Sequence, residues 1–294
     1  MSELLIGVGM SENGNTTFLS AYDTVLGRWP VRVESIDLPS VYGTTRVNAC
    51  GPADGPPLVL LHGGGTTAAM WFANVAAFAH RHRVYAVDRI GEPGRSIRGQ
   101  HPPRDVRDLL GWLDGVLDGL GVENAAVCGH SYGAWIALTY GLHAPRRVRR
   151  LVLLDPTQCF GGFRAGYLAR ALPSLARPTA SRARAFLAWE TGGAHADPAW
   201  LRLYGLAAEF PDTRIVTGRR PRPGSLRALT TPTLILLAGG GRAHFPHRVA
   251  SAAARLLPHA EIAVLPGLSH HAMPWHEAAD LNTRVVDFLH RTAM

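Results

Sequence analysis

Lysine is absent from this chain of 294 residues. All thirty basic side chains are arginines, which are scattered among alanine, glycine and proline and give a net charge of +8. A net positive charge of this size is typical of nucleic-acid-binding proteins, but no basic aromatic stripe or known nucleic-acid-binding motif accompanies it here. The arginine bias is typical of a GC-rich bacterial genome. We therefore expect no nucleic-acid partner.

Cysteine is also scarce, and Cys50, Cys128 and Cys159 neither pair completely nor show the spacing of metal ligands. The fourteen histidines form no His-Glu-x-x-His motif or Cys/His array. The sequence therefore predicts neither a metal site nor a cofactor. Unpaired thiols are typical of a reducing compartment.

Long apolar runs and internal repeats are missing. No uncharged segment is long enough to span a bilayer, and residues 1–9 lack the basic and apolar regions of a signal peptide. We expect a cytoplasmic protein with no membrane partner. The 47% hydrophobic content can fill a large core, either as one α/β domain with an insertion or as two modest domains. The sequence carries no signal for the oligomeric state.

The most informative stretch is an apolar run from Ala125 that leads into Gly-His-Ser-Tyr-Gly at residues 129–133 and then into a helical pattern. This order predicts a strand, a tight turn and a helix. A serine in such a turn adopts a strained backbone with its hydroxyl pointing outward, and the glycines let the strand and helix approach closely. Free N–H groups at the helix start can stabilise an oxyanion. Ser131 is therefore predicted to be a nucleophile rather than only a helix cap.

On this pentapeptide the chain resembles the α/β-hydrolase superfamily from about Val31 to its C-terminus. A buried strand at residues 57–61 ends in His-Gly-Gly-Gly, and in related hydrolases the residue after the His-Gly pair supplies an oxyanion-hole N–H. The resemblance assigns this donor to Gly64, beside the N–H of Tyr132. The alternative is a flexible turn that binds no ligand.

Alternating strands and amphipathic helices indicate a mostly parallel sheet with helices on both faces, which is the α/β-hydrolase fold. The expected strands are an antiparallel pair at 31–37 and 44–50, followed by 57–61, 84–87, the apolar run from 125 to the pentapeptide, 148–154, 232–238 and 262–265. The expected helices cover 15–28, 66–78, 104–120, 134–143, 247–257 and 278–289.

The segment 157–227 differs in character, since it is rich in proline, arginine and aromatic residues. It follows a strand that ends near Asp155, and we expect it to form a helical cap over the active site. The predicted organisation is a first core part with an N-terminal helix at 1–156, a cap at 157–230 and a second core part at 231–294. Most aromatic residues of the cap should form its own core.

A nucleophilic serine needs a general base, and the base needs an acid that orients it. The order Ser, acid, His is that of the α/β hydrolases. His270 lies in a Gly-x-x-His sequence after the last strand and matches the superfamily's catalytic histidine. His271 is the alternative base. Adjacent side chains diverge, so only one can reach Ser131, and the other would belong to the pocket or to its surroundings.

The acid departs from the family pattern. Most relatives carry Asp or Glu after the penultimate strand, where residues 238–244 read Ala-Gly-Gly-Gly-Arg-Ala-His and contain no carboxylate. Asp155 ends the strand that follows the nucleophile helix, a position that some members use, and we assign the acid there. The alternatives are an incomplete triad and a simple Asp-Pro turn.

A serine at the nucleophile position indicates acyl transfer to water. We expect a serine hydrolase that cleaves a small ester, lactone or thioester through an acyl-enzyme on Ser131, with His62, His130 and His271 contacting the substrate. Two alternatives remain: an acyltransferase or cyclase that excludes water, and a ligand-binding homologue with weak turnover. The missing carboxylate in the glycine loop keeps the second one open.

Overall fold

A computed structural model describes residues 12–211 and 213–291. In this part of the chain, nine strands form one sheet in the order β1-β2-β4-β3-β6-β7-β8-β9, with β5 paired to β2. The strands are β1 (Glu34–Ser40), β2 (Gly43–Cys50), β3 (Pro57–Leu61), β4 (Arg83–Val87), β5 (Ile97–Arg98), β6 (Ala125–His130), β7 (Val148–Leu154), β8 (Thr233–Ala238) and β9 (Glu261–Leu265). Neighbours from β4 to β9 along this path run parallel, whereas β1, β2 and β4 pair antiparallel.

Ten α-helices surround the sheet in the described residues. They are α1 (Glu12–Leu26), α2 (Val75–Ala79), α3 (Val106–Gly119), α4 (Tyr132–His143), α5 (Ala165–Ala176), α6 (Ala180–Glu190), α7 (Pro198–Ala208), α8 (Pro223–Arg227), α9 (Pro246–Leu256) and α10 (Ala278–His290). Two short 3-10 helices span Ala68–Ala73 and Pro145–Arg147. Within the described ranges, none of the helices is long and apolar enough to cross a bilayer.

The central strands are apolar throughout because both faces of the sheet are covered. In β3, Leu58 and Leu60 point into a core formed with α1, α2 and α10. Val59 and Leu61 point into a second core formed with α3, α4 and α9. The expected α/β architecture, a mostly parallel sheet between helices, is thereby confirmed.

Two elements differ from the sequence prediction. The first strand begins at Glu34 rather than at residue 31. A tight turn at Val41 and Tyr42 pairs Ser40 with Gly43, and the pairing continues back along the strand to Glu34, opposite Ala49. The helix expected over 66–78 is divided into the 3-10 helix and α2. Asn74 separates them, and its side-chain amide donates to Asn282 of α10.

The turn between β6 and α4 holds Ser131 with φ 55° and ψ −113°. This backbone conformation is unfavourable for a residue with a side chain, at a cost of order 1–3 kcal/mol. The turn persists because the strand and helix are in backbone contact. A Cβ on Gly129 would lie 2.2 Å from the carbonyl oxygen of Gly133, and a Cβ on Gly133 would lie 2.2 Å from that of Leu61.

Helices α5 to α8 lie between β7 and β8 in the chain, beside the sheet edge that carries Ser131. Helix α7 packs on α6 and on α1. The extended chain before α8 contacts the nucleophile helix, where the Tyr132 hydroxyl donates to the carbonyl of Val216 at 2.5 Å. The segment from α5 to α8 therefore borders the turn that carries Ser131.

We expect Gly133→Ala to prevent formation of the native turn, because the added Cβ would overlap the Leu61 carbonyl at 2.2 Å. Gly115→Ala is the matched control. Gly115 is exposed in α3 with no atom near the added Cβ, so the change should stabilise the protein by about 0.5–1 kcal/mol. Thermal and urea unfolding check both, and a Gly133→Ala protein as stable as the wild type would contradict the assigned packing.

Candidate active site

Three side chains from separate elements form a hydrogen-bonded chain at the carboxyl edge of the sheet. His270 Nε2 lies 2.8 Å from Ser131 Oγ, and His270 Nδ1 lies 2.6 Å from Asp155 Oδ2. Ser131 follows β6, Asp155 follows the adjacent β7, and His270 lies in the loop after β9. The three residues chosen from the sequence are thus brought together, and the alternative base His271 is not in this chain of contacts.

Asp155 is fully buried and accepts three contacts that compensate its charge. Besides His270, the N–H of Ala238 donates to Oδ1 at 2.9 Å, and His244 Nε2 lies 3.0 Å from the same oxygen. Burial alone would raise the pKa of Asp155, but the contacts with His244 and His270 outweigh it and hold that pKa below its ordinary value. The carboxylate is therefore ionised at neutral pH.

The contact with Asp155 also changes the pKa of His270. Burial lowers the pKa of this imidazole, but the hydrogen bond and charge of Asp155, with the charge of Glu190, outweigh burial and leave the pKa above its ordinary value. The neutral ring with its proton on Nδ1 presents the unprotonated Nε2 to Ser131. This is the arrangement that a general base requires.

The glycine loop after β8 packs closely against the backbone that follows β9. The N–H of Gly239 donates to the Leu265 carbonyl, and that of Gly240 to the Leu268 carbonyl, each at 2.8 Å. A Cβ on Gly239 would lie 2.7 Å from the Leu265 oxygen. Backbone of the histidine loop thus occupies the space that a side chain would need. His244, at the end of this stretch, instead reaches Asp155, and sequence reasoning did not identify that contact.

Asp155, His244 and His270 are also the described residues that could ligate a metal, with candidate ligand atoms within 4.8 Å of one another. The 2.6 Å separation of Asp155 and His270 is that of a charge-assisted hydrogen bond. A cation between them would have to separate the pair and replace the histidine protons. We therefore interpret the cluster as a hydrogen-bonded network.

Two backbone amides without a hydrogen-bond partner among the described residues lie beside the nucleophile on neighbouring elements. Tyr132 is the first residue of α4, so its N–H has no partner within the helix. Gly64 lies in the turn after β3, and a Cβ built on it would be 3.5 Å from Tyr132 Cβ. Neither N–H donates to another group in the described part of the chain. Both predicted oxyanion-hole residues thus lie side by side.

A buried ion pair holds the loop that carries Gly64. Arg89, only 1% exposed, donates from Nε to Glu92 Oε1 at 2.6 Å and from Nη2 to the Gly63 carbonyl at 3.0 Å. Its Nη1 donates to the His62 carbonyl. Glu92 accepts from the N–H of Gly65 at 2.9 Å. Sequence reasoning missed this pair because nothing in the local pattern distinguishes Arg89 from the other arginines.

His62 does not face the site, which differs from the expectation of a substrate contact. It is 0% exposed, and its Nε2 accepts from the Arg89 N–H at 3.2 Å. Its Nδ1 lies 2.9 Å from the Gly63 carbonyl. Burial, and then the charge of Arg89, hold the pKa of His62 well below its ordinary value. Its ring therefore supports the loop that carries Gly64 through its contacts with Gly63 and Arg89.

His130 is likewise buried, and its Nε2 donates to the His270 carbonyl at 2.8 Å. Burial, and then the charge of His270, lower the pKa of His130 to about 3, so it is neutral. This placement gives it a contact with the histidine loop instead of one with substrate.

His271 is the predicted pocket residue that the structure leaves partly exposed. Its Nε2 lies 3.0 Å from the Tyr167 hydroxyl, and the rings of Phe186 and Tyr204 pack edge-on against it at 5.6 and 6.2 Å. Burial among these rings lowers the pKa of His271 to about 4. The aromatic cluster comes from α5, α6 and α7, which border the site.

Comparison with known proteins gives the family and close solved structures. The family model described as the alpha/beta hydrolase family matches residues 58–284. An uncharacterized carboxylesterase, nap, of Bacillus subtilis (strain 168) is 30% identical over 295 residues, which cover 95% of this chain and 94% of that protein.

Two crystal structures from Bacillus subtilis match nearly the whole chain. Carboxylesterase CesB (YbfK) is 28% identical with a TM-score of 0.89, covering 96% of this chain and 100% of that one. Naproxen esterase (carboxylesterase NP) is 27% identical with a TM-score of 0.86, covering 95% and 99%. The expected fold class is confirmed by these similarities.

We expect Glu92→Ala to destabilise the protein by about 3–5 kcal/mol, because it leaves the buried Arg89 guanidinium without its counter-ion. Glu34→Ala is the matched control, since Glu34 forms an exposed ion pair with Arg83 and should contribute less than about 1 kcal/mol. Urea unfolding of the variants measures both changes. Equal losses would contradict a role for the buried pair in holding the loop.

Proposed function

The chain belongs to the alpha/beta hydrolase family, and we propose that it is a carboxylic-ester hydrolase that forms an acyl-enzyme on Ser131. One observation carries the proposal: His270 links Ser131 at 2.8 Å to the buried carboxylate of Asp155 at 2.6 Å. The carboxylesterases among its relatives support the ester as the bond that is cleaved.

In the proposed first step, Ser131 Oγ attacks the ester carbonyl while His270 Nε2 takes the hydroxyl proton. The Asp155 carboxylate stabilises the imidazolium that forms. His270 then gives the proton to the leaving alcohol. In the second step, a water attacks the acyl-enzyme by the same route and releases the acid.

The carbonyl oxygen gains negative charge in both steps, and we assign its stabilisation to the N–H groups of Gly64 and Tyr132. Two preorganised donors of this kind, in a site that excludes water, stabilise the transition state more than the substrate. The Arg89–Glu92 pair supports this role because it fixes the turn on which Gly64 lies.

We assign residues 157–230 to a cap that covers the nucleophile and bounds a small-molecule pocket, between core parts 1–156 and 231–294. His271 and the rings around it are the side chains of this pocket that we expect substrate to meet. Aromatic walls favour an apolar acyl or alcohol group. The same acyl-enzyme chemistry also cleaves lactones and thioesters.

The alternative of a ligand-binding homologue without turnover depends on an absent acid. The short contact between Asp155 and His270 supports hydrolysis over that alternative, because it supplies the orientation that the glycine loop lacks. A non-hydrolytic acyltransferase or cyclase would use the same acyl-enzyme, and the products formed with and without an added alcohol acceptor separate it from a hydrolase.

The first test is labelling with a fluorophosphonate, which reports an activated serine whatever the substrate. We expect rapid, stoichiometric labelling at Ser131 and none in Ser131→Ala, whose thermal transition should change by no more than about a degree or two. Ser251→Ala, a serine on the distant α9, is the control and should label normally. Peptide mass spectrometry locates the label, and modification elsewhere, or none in the folded wild type, contradicts the proposal.

The second test is Asp155→Asn, which replaces an acceptor with an amide that can donate to His270 Nδ1. The imidazole then carries its proton on Nε2 and cannot accept the serine proton, so kcat should fall by about 10⁴ with little change in KM. Loss of the carboxylate charge also lowers the pKa of His270. Because the neutral ring is the active form, the acidic limb of the kcat/KM profile should move to lower pH.

Asp118→Asn is the control for this substitution, since Asp118 forms an exposed ion pair with Arg147. It should leave both kcat and the pH profile as in the wild type. Full activity of Asp155→Asn would show that a different group orients the base.

A further inference from the structure

Glu190 is a buried carboxylate that the proposed mechanism does not use. It is the last residue of α6 and only 1% exposed. Its side chain crosses from the α5–α8 segment to the loop that carries His270, about 80 residues away in the chain. Oε1 accepts from the N–H of His270 at 3.0 Å, and Oε2 accepts from the N–H of His271 at 3.0 Å and from Ser269 Oγ at 2.9 Å.

All the partners of this carboxylate are donors, including the more distant N–H of Arg242, at 3.4 Å from Oε1. A buried ionised carboxylate is costly unless such groups compensate it. Burial raises the pKa of Glu190, but the nearby charges of His271 and His270 and the hydrogen bonds outweigh it and lower the pKa below its ordinary value. Both oxygens therefore act as ionised acceptors.

The stability of α6 does not explain this residue. A negative charge at the C-terminal end of a helix opposes the helix dipole and is unfavourable there. The contacts that offset this cost all lie in other parts of the chain, at residues 269–271 and at Arg242. The position of Glu190 is thus accounted for by the histidine loop.

We propose that Glu190 is a positioning residue, which clamps residues 269–271 so that the His270 ring reaches Asp155 and Ser131 together. The inference rests on the proposed function of His270 as the base. Glu190 holds the backbone N–H of His270, while His130 holds its carbonyl at 2.8 Å. With the backbone fixed from both sides, the ring needs only its side-chain torsions set by Asp155.

The clamp also connects the site to the cap. Because the C-terminal end of α6 is bonded to the loop of the base, α6 cannot move away as a rigid body without releasing His270. Substrate must therefore enter without separating this end of α6 from the loop at residues 269–271. A displacement of about 1 Å at a reacting group can reduce the rate by about 100-fold.

The charge of Glu190 acts on His270 together with other groups around the ring. The titratable groups that face His270 are Asp155 at the end of β7, His130 at the end of β6, His271 beside it, His244 after β8, Tyr167 of α5 and Glu190 of α6. Of these, Asp155 and Glu190 raise the pKa of His270. Removal of the Glu190 charge should therefore lower it.

The experiment compares Glu190→Gln with Glu190→Asp and with the control Glu209→Gln. Glutamine places an NH₂ donor against N–H and O–H donors and removes the charge, so we expect kcat to fall by about 10- to 100-fold with KM nearly unchanged. The acidic limb of kcat/KM should shift to lower pH. A residue with only a structural role would lower the unfolding temperature without moving that limb.

Aspartate keeps the charge but is one methylene shorter and cannot reach all three donors. We expect a reduced kcat with the acidic limb where the wild type has it. Glu209 is also in the α5–α8 segment, where it accepts from the N–H of Ala180 and touches no residue of the histidine loop, so Glu209→Gln should keep the wild-type kcat and profile. A folded Glu190→Gln with wild-type kcat and profile overturns the proposal. If that variant does not fold, wild-type kcat in Glu190→Asp overturns it.

A measurement that needs no substrate separates this proposal from the function on which it rests. NMR of the protein with ¹³C-labelled histidine follows the His270 ring as the pH is changed. Its signal is assigned by its loss in His270→Asn. If the wild type neither hydrolyses esters nor labels at Ser131, the proposed function fails. The clamp then stands if the ¹³C signal of the neutral His270 ring, measured above its pKa, shifts in both Glu190→Gln and Glu190→Asp, because both variants lose contacts to the loop, and it fails if that signal is unchanged in both.

Discussion

The hydrogen bond between His270 Nδ1 and Asp155 Oδ2, at 2.6 Å, is the interaction on which the rest of the site depends. It joins the loop after the edge strand β9 to the end of the central strand β7. An ionised carboxylate at this depth requires donors around it, and the Ala238 N–H and His244 complete the set. Since these groups come from several strand ends, the acid is stable only when the whole edge of the sheet is assembled.

In the proposed triad, Asp155 takes the place of the carboxylate that relatives are expected to carry after the penultimate strand. The glycines after β8 pack against the backbone of the histidine loop, which leaves no room for a side chain at Gly239. His270 lies further along the same loop, where its ring contacts Asp155 at the end of β7.

Support for the site comes from buried charges at a distance from the nucleophile. The Arg89–Glu92 pair fixes the turn of Gly64, and Glu190 fixes the loop of His270. Each of these charged groups also bonds to backbone atoms of a loop, so each one constrains the course of that loop. The planar guanidinium of Arg89 suits the first task because its several donors reach two carbonyls and a carboxylate at once.

The sequence by itself determined the strands along the chain and the turn of Ser131. These follow from local physics: apolar runs mark strands buried on both faces, and a serine between glycines after such a strand fits a strained turn. His270 and Asp155 were predicted from the resemblance to the family, since no local pattern identifies them. Only the tertiary structure decided that His62 and His130 face inward, that His244 contacts Asp155, and that Glu190 meets the histidine loop. Such contacts join residues as far as 140 positions apart, and their chemistry depends on burial and on exact partners, which no local pattern of residues contains.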